Sequence, residues 1–322
     1  MSIESIRNFI AEDMLAVDRV IRARLDSEVV LIRQISEYII GNGGKRLRPI
    51  LVLLSSGAFG YQGLARFELA ATIEFIHTAT LLHDDVVDTS EQRRGKATAN
   101  ALYGNAASVL VGDFLYSRAF QMMVDVGLME VMRTVADATN VIAEGEVLQL
   151  LNCHNADIDE ENYLKVIRYK TAKLFEAASR IGAILGDATP DEIDAMSKYG
   201  MHLGTAFQLI DDVLDYSGDM SDTGKNLGDD LIEGKPTLPL IRIMETGSDE
   251  QKRLVRHAIE NGGIEEFEAI LVAMKATDAL DYAKNRAKSE ADLACSAIAG
   301  IPDSKFKESL LQLAGFAVSR NY

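Results

Sequence analysis

Apolar residues recur every three or four positions along most of the chain, which is the spacing that places them on one face of an α-helix. The pattern predicts helices over 3–25, 29–40, 49–58, 64–87, 108–126, 129–151, 160–185 and 190–216, with shorter helices after 236. Positions 69–82 are uncharged except for Glu74, so that helix should lie in the middle of a bundle. No alternating strand pattern with hairpin turns is present. We therefore predict an all-α fold, a helical bundle that forms a single domain over 1–322.

Two polar stretches, 88–97 and 217–235, interrupt this pattern and predict long loops. Loops of this length inside a compact domain are often functional. Each loop follows an apolar helix that ends in an Asp-Asp-x-x-Asp cluster, one at 84–88 and one at 211–215. The ten residues that end in each cluster also match, with ATLLHDDVVD over 79–88 and AFQLIDDVLD over 206–215. We interpret the two segments as matched halves of one site.

The aspartates have the spacing of a cation site. Residues four apart in a helix lie on one face, so Asp84 should project beside Asp88, and Asp211 beside Asp215. Carboxylates at the C-terminal end of a helix repel one another and the helix dipole, so a cation should compensate them. Ligands made of carboxylate oxygen favour a hard ion, Mg²⁺ or Mn²⁺. One cluster alone would be more typical of an acidic, solvated helix end, but its repetition favours a metal site.

The charge balance points to a small anionic ligand. The chain has 33 basic and 49 acidic residues, for a net charge of −16, whereas a nucleic-acid-binding protein should be basic at least locally. Basic residues cluster only over 45–48 and 93–96. Arg93 and Arg94 are suited to bind diphosphate through forked hydrogen bonds, and a glycine-rich turn that leads into a helix is a good anion site. Solvated loops are the alternative for both groups.

The histidines and cysteines add less. His77 lies seven residues before Asp84 and hence on the same face, so a ligand and a core role are equally open, whereas His83 is expected to be a core or capping residue. Cys153 and Cys295 are far apart and are expected to be buried thiols, not a disulfide or zinc site. The N-terminal segment lacks an apolar signal core, and no run of ~18 apolar residues is present. We expect a cytoplasmic protein with peripheral membrane contact at most.

Further motifs accompany the aspartate clusters. They are GGKRLRP over 43–49, RRGK over 93–96, GD over 112–113, EGE over 144–146, KTA over 170–172, FQLIDD over 207–212, GKN over 224–226, GDD over 228–230 and EGKPT over 233–237. With these motifs the chain resembles the trans-isoprenyl (polyprenyl) diphosphate synthases over essentially its whole length. The resemblance is strongest to the bacterial long-chain members that make octaprenyl diphosphate, and no motif position departs from the pattern.

The resemblance implies a bundle around a central cavity, of the isoprenoid synthase type, and a homodimer. It also implies a reaction in which an allylic diphosphate, with farnesyl diphosphate as the expected primer, loses pyrophosphate and isopentenyl diphosphate attacks the resulting cation. Magnesium ions, expected to number three, would be bound by Asp84, Asp88 and Asp211, while Asp85, Asp212 and Asp215 would act mainly through indirect or water contacts. The allylic diphosphate would be held by Arg93, Lys170, Thr171, Gln208, Lys225 and Lys235. Isopentenyl diphosphate would be held by Lys45, Arg48, His77 and Arg94.

Product length is expected to depend on the helix before the first cluster. Short-chain members place a bulky aromatic residue four or five positions before its first aspartate, where this chain has Thr80 and Ala79. The growing tail should pass these small residues along the helix toward Ile76 and Ile73, with Phe120, Met122 or Met123 as the floor of a tunnel. Products of thirty-five, forty and forty-five carbons are all compatible with a small residue at 79, and the overall resemblance favours the octaprenyl product of forty carbons, for a quinone side chain. A class I terpene cyclase and a non-catalytic partner subunit are the alternative functions.

Overall fold

The computed structural model describes residues 3–41, 44–93, 95–217 and 227–320, and most of this range is helical. The α-helices are α1 (Ile3–Phe9), α2 (Ala11–Arg24), α3 (Val30–Gly41), α4 (Leu47–Ala58), α5 (Ala65–Val87), α6 (Ala99–Tyr103), α7 (Asn105–Val126), α8 (Met129–Asn152), α9 (Glu160–Ile167), α10 (Lys173–Leu185), α11 (Pro190–Ser217), α12 (Asp229–Ile232), α13 (Leu238–Thr246), α14 (Asp249–Asn261), α15 (Phe267–Ala276), α16 (Ala279–Ala297) and α17 (Lys305–Ser319). A π-helical turn (Arg168–Ala172) joins α9 to α10, and a 3₁₀ turn (Ile264–Glu266) precedes α15.

The all-α prediction is confirmed, with local corrections. The first predicted helix is two helices that meet at Ile10. The predicted loop over 88–97 contains a two-residue hairpin in which Gln92–Arg93 pairs antiparallel with Lys96–Ala97. The sequence did not indicate this hairpin, because strands of two residues are too short to produce an alternating pattern. The helix α6 was also unexpected, and Thr98 starts it by accepting a hydrogen bond from the backbone N–H of Ala101.

Contacts divide the chain into two compact units, and the first comprises Met1–Ala138, Leu174–Gly200 and Ala297–Leu313. Its core is built on α5, which packs against α2, α4 and α7. Leu69, Ala70, Ala71 and Ile73 follow one another on this helix and are all fully buried, so α5 is surrounded on several sides. This confirms the interior position expected for the almost uncharged helix. The last turn of α5 carries the first aspartate cluster.

The second unit comprises Thr139–Lys173, Met201–Ser296 and Ala314–Tyr322. One apolar cluster joins α9, α11, α13 and α16 and includes Tyr163, Ile210 and Ala287. A second cluster lies among α13, α14 and α15 and includes Leu240 and Ile259. The last two turns of α11 carry the second aspartate cluster. The single domain expected over 1–322 stays a prediction.

Two smaller expectations concern the thiols and the membrane. Cys153 and Cys295 form no disulfide within the described residues, but both are partly exposed, so the expectation that they are buried is wrong. Cys153 lies in the turn after α8, where the periodicity of the helix no longer determines exposure. Across the parts of the chain that the structure covers, no helix combines the length and the apolar character that a membrane span requires.

Candidate functional site: two aspartate clusters and their cationic partners

The first cluster closes the C-terminal end of α5. Asp88 follows the last helical residue, and its backbone N–H donates to the carbonyl of Asp84 at 2.8 Å. Asp84 and Asp88 are half-buried, whereas Asp85 is 0% exposed. The guanidinium of Arg93 donates to Asp85 Oδ1 from Nε at 2.8 Å and from Nη2 at 2.7 Å. Arg93, expected on the allylic diphosphate, therefore pairs here with the buried member of the cluster.

The loop after this cluster is held against the helix end. Thr89 adopts a left-handed conformation with φ of 51°, which reverses the chain and lets Ser90 N–H donate to Asp85 O at 3.0 Å. Asn100 Nδ2 donates to the carbonyls of Asp85 and Ser90 at 3.1 and 3.2 Å, and Thr98 Oγ1 donates to Ser90 O at 2.7 Å. A β-branched residue is uncommon in this conformation, so the turn is strained and depends on these contacts. Thr98 and Asn100 were not predicted as site residues.

The basic residues at the start of α4 point in different directions, because the backbone turns at Arg46. Arg46 is left-handed, with φ of 48°, and its side chain forms an ion pair with Asp18. Arg48, in the first turn of α4, lies 3.1 Å from His77 Nε2 through Nη1, and its guanidinium stacks 4.5 Å from the ring centre of Phe175. The structure thus brings together Arg48 and His77, two of the residues expected to bind isopentenyl diphosphate. Lys45 is half-buried at the entrance to the same helix. Arg94 lies outside the described residues.

In the second cluster, Asp212 is the buried residue, at 3% exposure. Its Oδ2 accepts a 2.5 Å hydrogen bond from Tyr163 Oη, and its Oδ1 accepts one of 2.8 Å from Gln208 Nε2. Burial raises the pKa of Asp212 from an ordinary 3.8 to about 8, the negative charge of Asp230 adds to the shift, and the two hydrogen bonds oppose it. Burial, and then the charge of Asp212, also raises the pKa of Tyr163 well above its ordinary value. Tyr163 was not anticipated as a site residue.

Asp211 has a partner from the C-terminal part of the chain. Arg320 Nη1 donates to Asp211 Oδ1 at 2.7 Å, and Nη2 donates to the carbonyl of Phe207 at 2.7 Å. The guanidinium also lies 3.6 Å from the ring centre of Phe207, and the side chain is 2% exposed. Asp215 Oδ2 accepts a hydrogen bond of 3.3 Å from the backbone N–H of Asp230. Sequence reasoning missed Arg320 because it is 109 residues from its partner and belongs to no local motif.

The π turn presents two more of the expected residues. Lys170 Nζ lies 2.5 Å from Glu146 Oε2, and Thr171 Oγ1 donates to Gln208 Oε1 at 3.0 Å. Gly145 allows this arrangement, because a Cβ at that position would lie 2.6 Å from Lys170 N. Turns of this kind are rare and occur frequently at functional sites. Hydrogen bonds thus connect Thr171 through Gln208 to Asp212, whereas the side chain of Lys170 contacts Glu146.

Lys235 lies on a separate short loop of the same unit. Its side chain forms an ion pair with Glu233, and its backbone N–H donates to Asp230 O at 2.9 Å. Gly234 has φ of +67° and packs against the ring of His154, so only glycine fits before Lys235. Lys225 lies outside the described residues.

The aspartates at this site suit a hard divalent cation whose coordination shell is completed by phosphate oxygens. All of the expected metal ligands are carboxylate oxygens, and guanidinium groups already compensate Asp85 and Asp211. Within the described ranges, no three His, Cys, Asp or Glu side chains are close enough to hold a metal ion unaided. Mg²⁺ commonly takes one or two carboxylates and completes its shell with substrate phosphates and water, so the residues fit such an ion.

The residues expected to govern product length lie on two packed helices. Ile76 and Ala79 on α5 and Met122 and Met123 on α7 are fully buried, and α5 packs extensively against α7. Thr80 is half-buried, and its hydroxyl donates to the carbonyl of His77 at 2.8 Å. Phe120 is half-buried, with its ring centre 5.8 Å from that of Tyr116. The placement agrees with a role in the interior, and the tunnel itself stays a prediction.

Comparisons with known proteins agree with these observations. The family model described as polyprenyl synthetase matches residues 29–274. Octaprenyl diphosphate synthase of Escherichia coli (strain K12) is 54% identical over 322 residues, which is 100% of both chains. The crystal structure of a decaprenyl diphosphate synthase from Rhodobacter capsulatus superposes with a TM-score of 0.94 at 44% identity and covers 100% of both chains.

A second solved structure carries information on ligands. Polyprenyl synthase from Caulobacter crescentus CB15, solved in complex with calcium and isoprenyl diphosphate, superposes with a TM-score of 0.96 at 42% identity. The match covers 100% of this chain and 98% of that one. The family model matches residues 29–274, the relative and the solved structures match essentially the whole length, and the chain belongs to the polyprenyl synthetase family.

Proposed function

We propose that this chain is a long-chain trans-polyprenyl diphosphate synthase that adds isopentenyl diphosphate units to an allylic primer, farnesyl diphosphate, until it forms octaprenyl diphosphate. The observation that carries the proposal is the presence of two aspartate clusters, each at the end of an apolar helix and each in contact with arginine. The full-length identity of 54% to an octaprenyl diphosphate synthase supports the product length.

In this proposal the carboxylates of Asp84, Asp88 and Asp211 bind Mg²⁺, with Mn²⁺ as a substitute. An ion held by these carboxylates would supply positive charge to a diphosphate leaving group. Asp85 and Asp212 are held by Arg93 and Tyr163, so they support the clusters from buried positions. The calcium and isoprenyl diphosphate in the Caulobacter relative support a divalent ion and a diphosphate here.

The chain's own cations divide between two diphosphates. Lys170, Thr171, Gln208, Lys225, Lys235 and Arg93 bind the allylic diphosphate, and Lys45, Arg48, His77 and Arg94 bind isopentenyl diphosphate. Lys170 and Lys235 form ion pairs with Glu146 and Glu233, which hold the two ammonium groups in place. Preorganised cations of this kind stabilise charge that develops during ionisation.

The test is elongation by the purified protein. The chain is incubated with Mg²⁺, farnesyl diphosphate and labelled isopentenyl diphosphate, and the dephosphorylated products are separated by chromatography. We expect octaprenol as the main product, and loss of at least about 100-fold in rate for Asp84→Asn or Asp211→Asn. Asp137→Asn, an exposed position on α8, is the matched control and should keep full activity.

Other outcomes would contradict the proposal. A cyclic hydrocarbon formed from the allylic diphosphate without isopentenyl diphosphate would identify a terpene cyclase. A folded protein that elongates nothing alone, but does so with a second subunit, would identify a partner subunit. A main product with seven or nine isoprene units would revise the chain length alone.

The proposal includes a cytoplasmic homodimer with peripheral membrane contact at most. Large apolar side chains are exposed on α7, at Val109 and Leu110, and on α8, at Val147, Leu150 and Leu151. Exposed apolar surface of this kind commonly marks an interface between proteins. The molar mass from light scattering after gel filtration should therefore be twice 35.2 kDa.

A further inference from the structure

One face of α16 carries three polar residues spaced four apart, Tyr282, Arg286 and Glu290. All three contact the segment formed by α9 and the π turn. Tyr282 Oη donates to Glu160 Oε2 at 2.6 Å, and Arg286 Nε donates to Glu160 Oε1 at 3.1 Å. Glu290 Oε1 accepts a hydrogen bond of 3.2 Å from Arg168 Nη2. This face of α16 therefore holds both the first residue of α9 and the first residue of the π turn.

Glu290 is a buried carboxylate at the centre of a charge cluster whose other members, Arg168, His202 and Arg286, are partly exposed. Its side chain is 1% exposed, and it also contacts Arg286 Nη1 at 3.0 Å and His202 Nδ1 at 2.5 Å. Burial raises the pKa of the Glu290 carboxyl, but the hydrogen bond and charge of His202 and the charges of Arg286 and Arg168 lower it by more, so it stays ionised. Loss of the buried negative charge would leave its cationic partners without a counterion and would alter the local structure around them. The position of Arg168 thus depends on this carboxylate.

The π turn has little support of its own. Its hydrogen bonds span five residues and are rare in proteins, so the surrounding structure must determine where it lies. Lys170 and Thr171 follow Arg168 by two and three positions and point to Glu146 and Gln208. The close approach of Gly145 fixes the middle of the turn, and the contact with Glu290 fixes its beginning.

We propose that Glu290 is a positioning residue: through Arg168, its buried carboxylate fixes the π turn so that Lys170 and Thr171 are presented to the allylic diphosphate. The identity of the ligand rests on the proposed function, whereas the coupling between Glu290 and the turn does not. Glu290 itself contacts cationic side chains of the protein and no reacting group.

The kinetic test uses Glu290→Gln, which keeps the size of the side chain and removes its charge. We expect kcat/KM for farnesyl diphosphate to fall about 10- to 100-fold, because small misplacements of binding groups have effects of this size. KM for isopentenyl diphosphate should change less than about twofold, since two of its proposed ligands, Arg48 and His77, lie on α4 and α5 and not on the π turn. Asp292→Asn makes the same charge change at an exposed position of α16 and should alter neither value.

A second variant and a double-mutant cycle separate positioning from general instability. Arg168→Gln should reproduce the kinetic effect, and the Arg168 side chain is 38% exposed, so its loss should leave the protein folded. If Glu290 acts through the turn, Glu290→Gln should have little further effect in a Lys170→Ala background, because effects on one unit are not additive. In a Lys45→Ala background it should keep its full effect. Full additivity with Lys170→Ala would overturn the proposal.

Hydrogen exchange tests the coupling without any activity. Backbone amides over 168–173 should exchange at least about tenfold faster in Glu290→Gln and Arg168→Gln than in Asp292→Asn, because local opening controls their protection. Unchanged exchange in this segment would overturn the positioning role. Faster exchange in a protein whose wild type elongates no prenyl diphosphate would count against the proposed function alone.

Discussion

Asp212 lies out of contact with water, and both of its carboxyl oxygens accept hydrogen bonds, from Tyr163 and Gln208. Its pKa in the folded, metal-free chain, about 8, exceeds the ordinary value of 3.8. The folded state therefore binds this proton more tightly than the unfolded state does. The contribution of Asp212 to the free energy of unfolding is therefore complete below about pH 4 and is lost as the pH rises toward about 8.

We predict that Asp212→Asn removes this part of the pH dependence. The wild-type free energy of unfolding, measured by urea denaturation with EDTA present, should fall between about pH 4 and about pH 8 by at most about 1.4 kcal/mol per pH unit from this group. The variant should lack that decrease and should be the more stable protein near pH 8. Asp137→Asn is the control, and an unchanged pH profile in Asp212→Asn would contradict the assignment.

Residues in short motifs were predicted from the sequence, but their distant partners were not. Asp84, Arg48 and Lys170 are recognisable because their motifs are local. Arg320 and Tyr163 meet Asp211 and Asp212 only after folding, across separations of 109 and 49 residues. The roles assigned to individual site residues stay predictions, because contacts with the protein do not test contacts with substrate.

Among the elements, the π turn between α9 and α10 is positioned by α8 as well as by α16. A Cβ on Gly145 would lie 2.6 Å from Lys170 N and 2.8 Å from Tyr169 Cβ. Real Cβ atoms do not approach backbone so closely, so α8 and the turn would have to separate. Gly145 is thus a requirement of helix packing.

We predict that Gly145→Ala displaces the turn. The variant should lose about 1–3 kcal/mol of stability through overpacking, measured by urea denaturation. It should also show a raised KM for farnesyl diphosphate. Gly315→Ala is the matched control, since Gly315 lies exposed in α17 with no atom within 4 Å of the added Cβ. That control should gain about 0.5–1 kcal/mol from helix propensity, and equal behaviour of the two variants would refute the packing argument.

The paired helices α5 and α7 carry the prediction about product length. Ala79→Tyr places a large ring among fully buried residues such as Ile76 and Met123. If the prenyl tail grows between these helices, the main product should shorten by several isoprene units, as measured by chromatography of the dephosphorylated products. Leu64→Tyr adds the same ring to an exposed position at the start of α5 and should leave the product unchanged. Full-length product from Ala79→Tyr would exclude this path.

Helix positions were largely predictable because the apolar period of a buried helix is visible in the sequence. The break at Ile10, the two-residue hairpin at 92–97 and the π turn were not. Each involves only a few residues, and tertiary contacts hold two of them, those of Thr98 at the hairpin and those of Gly145 at the π turn.

For the whole molecule, the net charge of −16 sets the response to cations. Like charges repel in the compact state, so any salt should stabilise it by screening. A specific site for a divalent ion and diphosphate should add to that effect, because a ligand that binds only the folded state stabilises it.

We predict that Mg²⁺ with inorganic pyrophosphate raises the melting temperature more than NaCl of equal ionic strength does. The added stability should be about 2.7 kcal/mol when the ligand is at 100 times its Kd. Calorimetry on the wild type and on the double variant Asp84→Asn, Asp211→Asn provides the comparison. Retention of the full increment in the double variant would show that the clusters do not bind the ion.

The all-α class followed from the sequence because strand signals are weak throughout, and the family followed from motifs spread over the whole chain. How the helices pack together is harder to predict from sequence patterns and motifs. Whether the chain folds as the single predicted domain depends on contacts that no local pattern records, and the structure divides those contacts between two compact units.

The π turn over Arg168–Ala172 also limits where residues can be inserted or deleted in this segment. Residues eight apart in an α-helix are about 80° out of alignment, yet Tyr163 and Thr171 both reach α11, at Asp212 and Gln208. A π turn contains one residue more than the α-turn it replaces, which reduces the rotation per residue and brings Thr171 back toward the face of Tyr163. Deleting Arg168 or Tyr169 would leave the KTA motif over 170–172 unchanged while rotating the helix before the turn against the helix after it. We therefore expect a related chain that lacks one residue in this segment to have lost the alignment of Tyr163 with Thr171, even if its motifs are unchanged.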